Sequence, residues 1–160
     1  MSKYELEKSI WTDLDFDVMG WHDCRVHAIA FNPEKYELMF DVDYILEWVE
    51  DDESRYKFLI APATLVFFNV HSGEISADLT AGVTILDITR GSSRPVGNPE
   101  HAGNAEELLW TFECIDCDLS FWSVGYTQFI RQVPMLVSDQ HLDHEERGGI
   151  SFSREAAAQP

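Results

Sequence analysis

The chain has 160 residues and carries 29 acidic side chains against 11 basic ones, for a formal net charge of -18. A field of that sign repels nucleic acids and anionic membranes and attracts basic molecules. Apolar residues make up 45% of the chain and aromatic residues 12%, which is too rich in core-forming side chains for a disordered acidic polymer. The composition therefore predicts a folded protein with a basic protein partner; colloidal solubility and adaptation to high salt are the alternative explanations of the charge.

Length and cysteine content predict one intracellular domain. A chain of this size usually forms a single core, which we expect to span 1–153, with a flexible C-terminal tail at 154–160. The first residues lack the pattern of a secretory signal, and no stretch approaches the roughly eighteen apolar residues of a membrane span. Three cysteines are too few for a disulfide framework, so the thiols should be reduced. We therefore expect a cytoplasmic protein with no membrane contact and no cofactor.

Apolar and polar residues alternate along most of the chain, which is typical of antiparallel strands. Turn-forming residues interrupt the alternation at 32–35, 51–54 and 115–118, and Pro62 separates two further segments. The predicted strands are 24–31, 36–45, 56–61, 64–70, 75–79, 83–89, 108–114 and 119–129. The pattern predicts a mainly β, single-domain fold, either an antiparallel sandwich or a partly closed barrel, with at most one short C-terminal helix.

Two segments depart from the strand pattern. Residues 91–104 are rich in Gly, Ser, Pro and Asn and predict one long loop, which at that length is mobile or functional. Residues 137–147 predict the short helix, with Ser138 as its N-cap.

The predicted strand 36–45 divides its side chains between two faces. Phe40 and Val42 point to an apolar face, whereas Glu37, Asp41 and Asp43 point to the other. We expect these three carboxylates to lie in solvent, which would explain them without a partner.

The densest acidic segment, residues 47–53, has no such explanation, because it lies at or beside a predicted turn. Tryptophan is common at the buried centre of protein interfaces, and carboxylates around it suit a basic cleft. The segment predicts a partner-binding site made of Glu47, Trp48, Glu50, Asp51, Asp52 and Glu53. The alternative is that Trp48 folds back over a sheet edge.

An imidazole and a carboxylate stand side by side at His22 and Asp23. Such groups bind ligands or transfer protons, so together with the 91–104 loop they predict a second candidate site at a sheet edge. The alternative is an ordinary surface pair.

The sequence Cys114-Ile115-Asp116-Cys117 is a CxxC motif. With His22 and Cys24 it would supply four ligands of the kind that structural zinc prefers. The alternative is a hairpin turn in which Cys114 is a small core residue, and on that alternative we expect no bound metal.

Three segments resemble a family of small acidic bacterial proteins of uncharacterised function: GWHDC at 20–24, APATLVFFNV at 61–70 and GYTQFIR at 125–131. In size, charge and fold type the chain is also similar to immunity proteins that neutralise polymorphic toxins. That similarity implies an inhibitor that occupies a basic site, and neither resemblance implies a catalytic residue.

The sequence thus predicts a non-enzymatic acidic binding protein that occupies a basic site of a toxin or of a nucleic-acid-binding protein. One alternative is a ligand-binding or hydrolytic protein with its site near His22 and Asp23. The other is a homo-oligomeric scaffold module that associates through sheet edges.

Overall fold

The computed structural model describes residues 6–158 and shows ten antiparallel strands in one sheet. The strands are β1 Ile10–Thr12, β2 Arg25–Asn32, β3 Glu37–Glu50, β4 Tyr56–Phe68, β5 His71–Ala77, β6 Val83–Pro95, β7 Glu106–Ile115, β8 Cys117–Ser123, β9 Gly125–Ile130 and β10 Met135–Val137. Helical segments are limited, within these residues, to the one-turn α1 Pro99–Ala102 and 3-10 turns at Asp13–Val18 and Leu79–Ala81. The predicted mainly β fold is confirmed. No helix in the described part of the chain is long and apolar enough to span a membrane.

The sheet folds back on itself around an aromatic core. Its strand order is β1-β9-β4-β3-β2-β6-β7-β8-β5, with β10 beside β4, and β2 and β6 share only two register pairs. Across the interior, Phe40 of β3 stacks on Phe112 of β7 at 4.7 Å, and Phe67 of β4 meets Phe121 of β8 at 4.8 Å between ring centroids. The two halves of one sheet therefore form sandwich-like layers, and the end strands do not close a barrel.

Strand β4 runs without interruption through Pro62, where the sequence predicted a break. The Pro62 carbonyl accepts a hydrogen bond from the Arg131 backbone N–H at 2.9 Å. The backbone nitrogen and carbonyl of a strand residue point to the same side of the strand. The N–H that Pro62 lacks would therefore point to the side on which its carbonyl bonds Arg131. There β10 pairs with β4 up to Ile60 and β9 pairs from Ala63, so Pro62 occupies the gap between them.

The long loop predicted at 91–104 is wrong. Strand β6 continues to Pro95 and pairs with β7 as far as Glu106, which leaves a connection of residues 96–105 that contains α1. Residues 89–95 are all exposed. A strand that is exposed on both faces has no alternation of apolar and polar residues, which is the signal by which strands are predicted. The polar composition of this segment therefore predicted a loop.

The predicted C-terminal helix at 137–147 is also wrong, because β10 ends at Val137 and bends and turns follow it. The backbone N–H of Leu142 donates to Asp43 at 2.9 Å, and the side chain of Arg147 binds the same carboxylate at 3.0 Å. These long-range bonds outweigh a local helical preference that is weak in a segment this short.

The residues predicted as a tail lie against the sheet as far as they are described, with 159–160 outside the described residues. The Ala157 backbone N–H donates to the Ile130 carbonyl at 2.7 Å. The Arg154 guanidinium binds the Glu37 carboxylate. The C-terminal segment therefore covers the outer face of β3 and β4.

Candidate functional site

The β3–β4 hairpin projects beyond its neighbours in the sheet. Strand β2 pairs with β3 only as far as Asp43, and β10 pairs with β4 only as far as Phe58. Strand β3 itself continues to Glu50 and β4 starts at Tyr56. Residues 47–57, which we call the hairpin arm, thus form a two-stranded projection with five carboxylates against two basic side chains.

A β-bulge decides which way the side chains of the arm point. The register of β3 against β4 shifts between Ile45 and Glu47, so Leu46 is the extra residue. One extra residue reverses the alternation of all that follow. Trp48 and Glu50 therefore project from the face of the sheet that points away from the aromatic core, whereas simple alternation from Phe40 would have turned them inward.

Trp48 is the centre of a small aromatic group on this face. Its ring centroid lies 5.0 Å from that of Phe58 and 5.7 Å from that of Tyr56, both nearly perpendicular to it, and 6.2 Å from the His22 imidazole. Trp48 is 43% exposed and Tyr56 is 51% exposed, whereas Phe58 is buried beneath them. Trp48 thus rests on its neighbours and still presents nearly half of its surface to solvent.

Two of the six residues predicted to bind a partner are engaged within the arm. The Asp51 side chain accepts hydrogen bonds from the backbone N–H groups of Glu53 and Arg55 at 2.9 and 3.0 Å and so closes the turn. The bond from Arg55 is the main reason that the pKa of Asp51 is lowered. The Arg55 guanidinium also binds the Glu53 carboxylate. Asp51 and Glu53 therefore shape and neutralise the tip.

The other four predicted residues are exposed, but they do not share one face. Glu50 lies directly opposite Tyr56 in the register and so accompanies Trp48. Glu47 projects from the opposite face of the arm, and Asp52 lies at the tip. The acidic run therefore divides into a face with Trp48 and Glu50, a tip, and a reverse side.

The predicted ligand pair lies beside the same aromatic group. His22 Nδ1 is 3.0 Å from Asp23 Oδ2, and the Gln140 side chain donates to that oxygen at 2.8 Å. Because the His22 ring also contacts Trp48, two separate predictions from the sequence meet on one surface.

The loop that was predicted to complete the His22–Asp23 site lies elsewhere, so that prediction is wrong. The Asp23 backbone N–H donates to the Ile85 carbonyl at 2.8 Å, near the start of β6, whereas the connection with α1 follows Pro95 at its end. Roughly ten strand residues separate the two places, which corresponds to about 30 Å.

The four potential zinc ligands are not assembled. Cys24 is fully buried, and burial raises its pKa to about 12, whereas the His22 side chain is 67% exposed. Cys114 and Cys117 stand opposite each other across the β7–β8 turn, as in the alternative interpretation, and burial raises the pKa of Cys114 to about 12. No group of three or more His, Cys, Asp or Glu side chains within residues 6–158 is placed to hold a metal ion.

The three carboxylates that were predicted to lie in solvent are buried, Asp41 and Asp43 fully and Glu37 with 9% exposure, which corrects the prediction of a wet face. The C-terminal segment covers them with cations: Arg147 binds Asp41 through two nitrogens at 2.6 and 2.9 Å, and Arg131 binds it at 2.8 Å. Burial alone would raise the pKa of Asp41, but hydrogen bonds from Arg147, Ser151 and Arg131 outweigh it and the pKa is lowered.

Asp43 is held by an equally complete set of donors. His27 is the extra residue of a bulge in β2, and its Nε2 lies 2.7 Å from Asp43. The Leu142 backbone N–H and Arg147 Nε also bind Asp43, at 2.9 and 3.0 Å. Burial would raise the pKa of Asp43 as well, yet these bonds, with that to His27 foremost, lower it.

This buried network supports the exposed surface from below. It anchors the segment that contains Gln140, which in turn holds Asp23 beside His22 and Trp48. The only sequence signal of the network was a pair of Asp residues within an apolar strand. Its cations were not predictable, because Arg147 lies 106 residues after Asp41 in the chain.

A cavity of about 420 Å³ lies at the other end of β3, next to Asn69 and His101. Tyr36 and Asn69 adopt positive φ angles of 55° and 49° there, and the Tyr36 ring contacts both His71 and His101. The Asn69 amide exchanges two hydrogen bonds with the Asn98 amide, at 3.0 and 2.7 Å. The two amides satisfy each other, so they tie Asn69 to the start of α1 and leave little of their own hydrogen-bonding capacity for a ligand.

The chain matches no protein-family model, no curated protein and no solved structure. The resemblances drawn from its sequence segments therefore stay predictions.

Proposed function

We propose that the protein is a non-enzymatic binding protein whose hairpin arm docks into a basic site of another protein, in the manner of an immunity-type inhibitor of a toxin or of a nucleic-acid-binding protein. One observation carries the proposal: the bulge at Leu46 turns Trp48, 43% exposed, and Glu50 to the same outer face of a projecting hairpin.

The charges and the aromatic group have separate tasks in such a complex. A net charge of -18 steers a basic surface toward the protein and raises the association rate, an effect that salt screens. Burial of a tryptophan within a partner's pocket slows dissociation, because large aromatic side chains dominate binding energy at interface centres. The arm is supported by only two strands and is therefore free to enter a cleft.

The test compares two triple variants of equal net charge. The first reverses three arm residues, Glu47→Lys, Glu50→Lys and Asp52→Lys. The second reverses three exposed carboxylates on the other half of the sheet, Glu74→Lys, Glu106→Lys and Glu113→Lys. Basic proteins captured by the wild type from an extract of the producing cells are purified and their affinities measured at about 50 and 500 mM salt.

The arm variant should lose the partner, whereas the control variant should keep it with only the slower association that a smaller net charge causes. Equal losses of affinity in both variants would show that the interaction depends only on overall charge. Unchanged affinity of the arm variant would show that the arm does not bind the partner.

A further inference from the structure

Basic side chains of this chain lie over its aromatic rings in a repeated arrangement. Arg94 lies 3.8 Å above the Trp122 ring, and its Nε is 2.7 Å from the Glu107 carboxylate. Lys8 lies 4.5 Å from the Trp11 ring and 2.6 Å from Asp15. In both, one cation touches an aromatic face and a carboxylate together.

The third example is formed by Arg90, which lies 4.5 Å from the Phe16 ring and 3.4 Å from Asp17. In three places, therefore, a Lys or Arg of this chain contacts an aromatic ring and a carboxylate at the same time.

Trp48 has the ring and the carboxylates of this arrangement without the base. Of the five tryptophans, Trp21 and Trp110 are buried, and Trp11 and Trp122 are partly exposed and covered by cations. Trp48 is the most exposed of the five, and no Lys or Arg side chain within residues 6–158 lies over its ring.

The surroundings of Trp48 favour a planar cation. Neither Phe58 nor Tyr56 lies flat on it, since their planes cross that of Trp48 at 81° and 70°. Glu50 shares its face two residues along β3, and Asp23 lies beyond the His22 ring. A guanidinium can stack on an indole and donate to a carboxylate at the same time, which an ammonium does less well.

We propose that Trp48 and Glu50 form a binding site for an arginine side chain of the partner, which supplies the missing base of the arrangement. This inference rests on the proposed function, because it names the residue type that anchors the partner to the hairpin arm.

The test uses N-acetyl-arginine methylamide as the probe and its citrulline analogue as the matched neutral control. Binding is followed by the indole N–H signal of Trp48 in the ¹⁵N-labelled protein. The arginine probe should shift this signal saturably and bind about threefold or more tightly than citrulline, as expected for an exposed cation–π contact. Equal binding of the two probes would overturn the proposal.

Two further variants separate a specific site from general attraction. Glu50→Gln should weaken arginine binding by about threefold, as expected for an exposed ion pair, whereas Glu47→Gln, which removes the same charge from the reverse face, should leave it unchanged. Equal effects of the two would overturn the proposal, and so would persistence in Trp48→Leu of a saturable arginine-specific shift on the remaining signals of the arm.

The inference and the proposed function can fail separately. If the charge-reversed arm loses its protein partner while arginine does not bind at Trp48, the arm docks by another contact. If arginine binds at Trp48 while the charge-reversed arm keeps the partner, the site is present and the proposed docking function is wrong.

Discussion

Arg147 and Asp41 form a two-point ion pair in which neither side chain has exposed surface: Nη1 lies 2.9 Å from Oδ2 and Nη2 lies 2.6 Å from Oδ1. Arg147 also binds Asp43 through Nε at 3.0 Å. A single guanidinium therefore holds the C-terminal segment to the middle of β3 and, through that segment, keeps Gln140 in contact with Asp23.

Removal of Arg147 should be strongly destabilising. Arg147→Ala leaves two buried carboxylates short of their main cation, and breaking a buried pair in this way costs about 3–5 kcal/mol. Arg55→Ala is the control, since its guanidinium and the Glu53 carboxylate are both 69% exposed and the pair should contribute about 0–1 kcal/mol. Urea unfolding measures both, and similar losses would mean that Arg147 does not anchor the segment.

The same carboxylates predict a loss of stability in acid. The pKa values of Asp41 and Asp43 are lowered in the folded state, so their contribution is complete above the unfolded value of about 3.9 and disappears as pH falls through the folded values. Carbon-detected NMR titration of the two carboxyl groups should give pKa values below about 3.9. Values above it would show that burial outweighs the hydrogen bonds, and stability would then rise as the pH falls.

The alternation of the sequence predicted most of the strands, because period-2 patterning follows directly from burial of one face. It missed the short strands β1 and β10 and the exposed end of β6, and it merged β8 and β9 into one strand at 119–129. It correctly placed Phe40 and Val42 in the core. It could not predict the bulges at His27 and Leu46, since one added residue leaves the composition of a strand unchanged while it turns later side chains over.

The sequence predicted the residues of the candidate site but not how they are arranged in space. The sequence indicated Trp48 through its acidic neighbours and His22 through its pairing with Asp23. Their contact depends on how the β3–β4 hairpin turns past the chain before β2, which is a tertiary property. Burial of Asp41 was equally hidden, because Arg147 lies in a segment whose local pattern favoured a helix.

Metal removal should leave the fold unchanged. Cys24 lies in the core while Cys114 and Cys117 face each other across a hairpin turn, so no zinc site links them to His22. Thermal unfolding with and without excess EDTA should give the same Tm. In the native protein the thiols should react slowly with iodoacetamide at neutral pH, because burial raises the pKa of Cys24 and Cys114 to about 12. A chelator-dependent fall in Tm would restore the zinc interpretation.

Asp51 and Asp52 are adjacent acids that should respond differently to replacement. Asp51 accepts two backbone hydrogen bonds that close the turn of the arm, whereas Asp52 is exposed at the tip. Asp51→Ala should therefore lower the urea midpoint and loosen the arm, seen as faster amide exchange at Glu53 and Arg55, while Asp52→Ala should change neither. The two variants should also affect partner binding for different reasons. Asp52→Ala should slow association without any change in the structure of the arm. Asp51→Ala should weaken binding only to the extent that it disorders the turn. Identical exchange and midpoints in the two variants would show that Asp51 contributes charge alone.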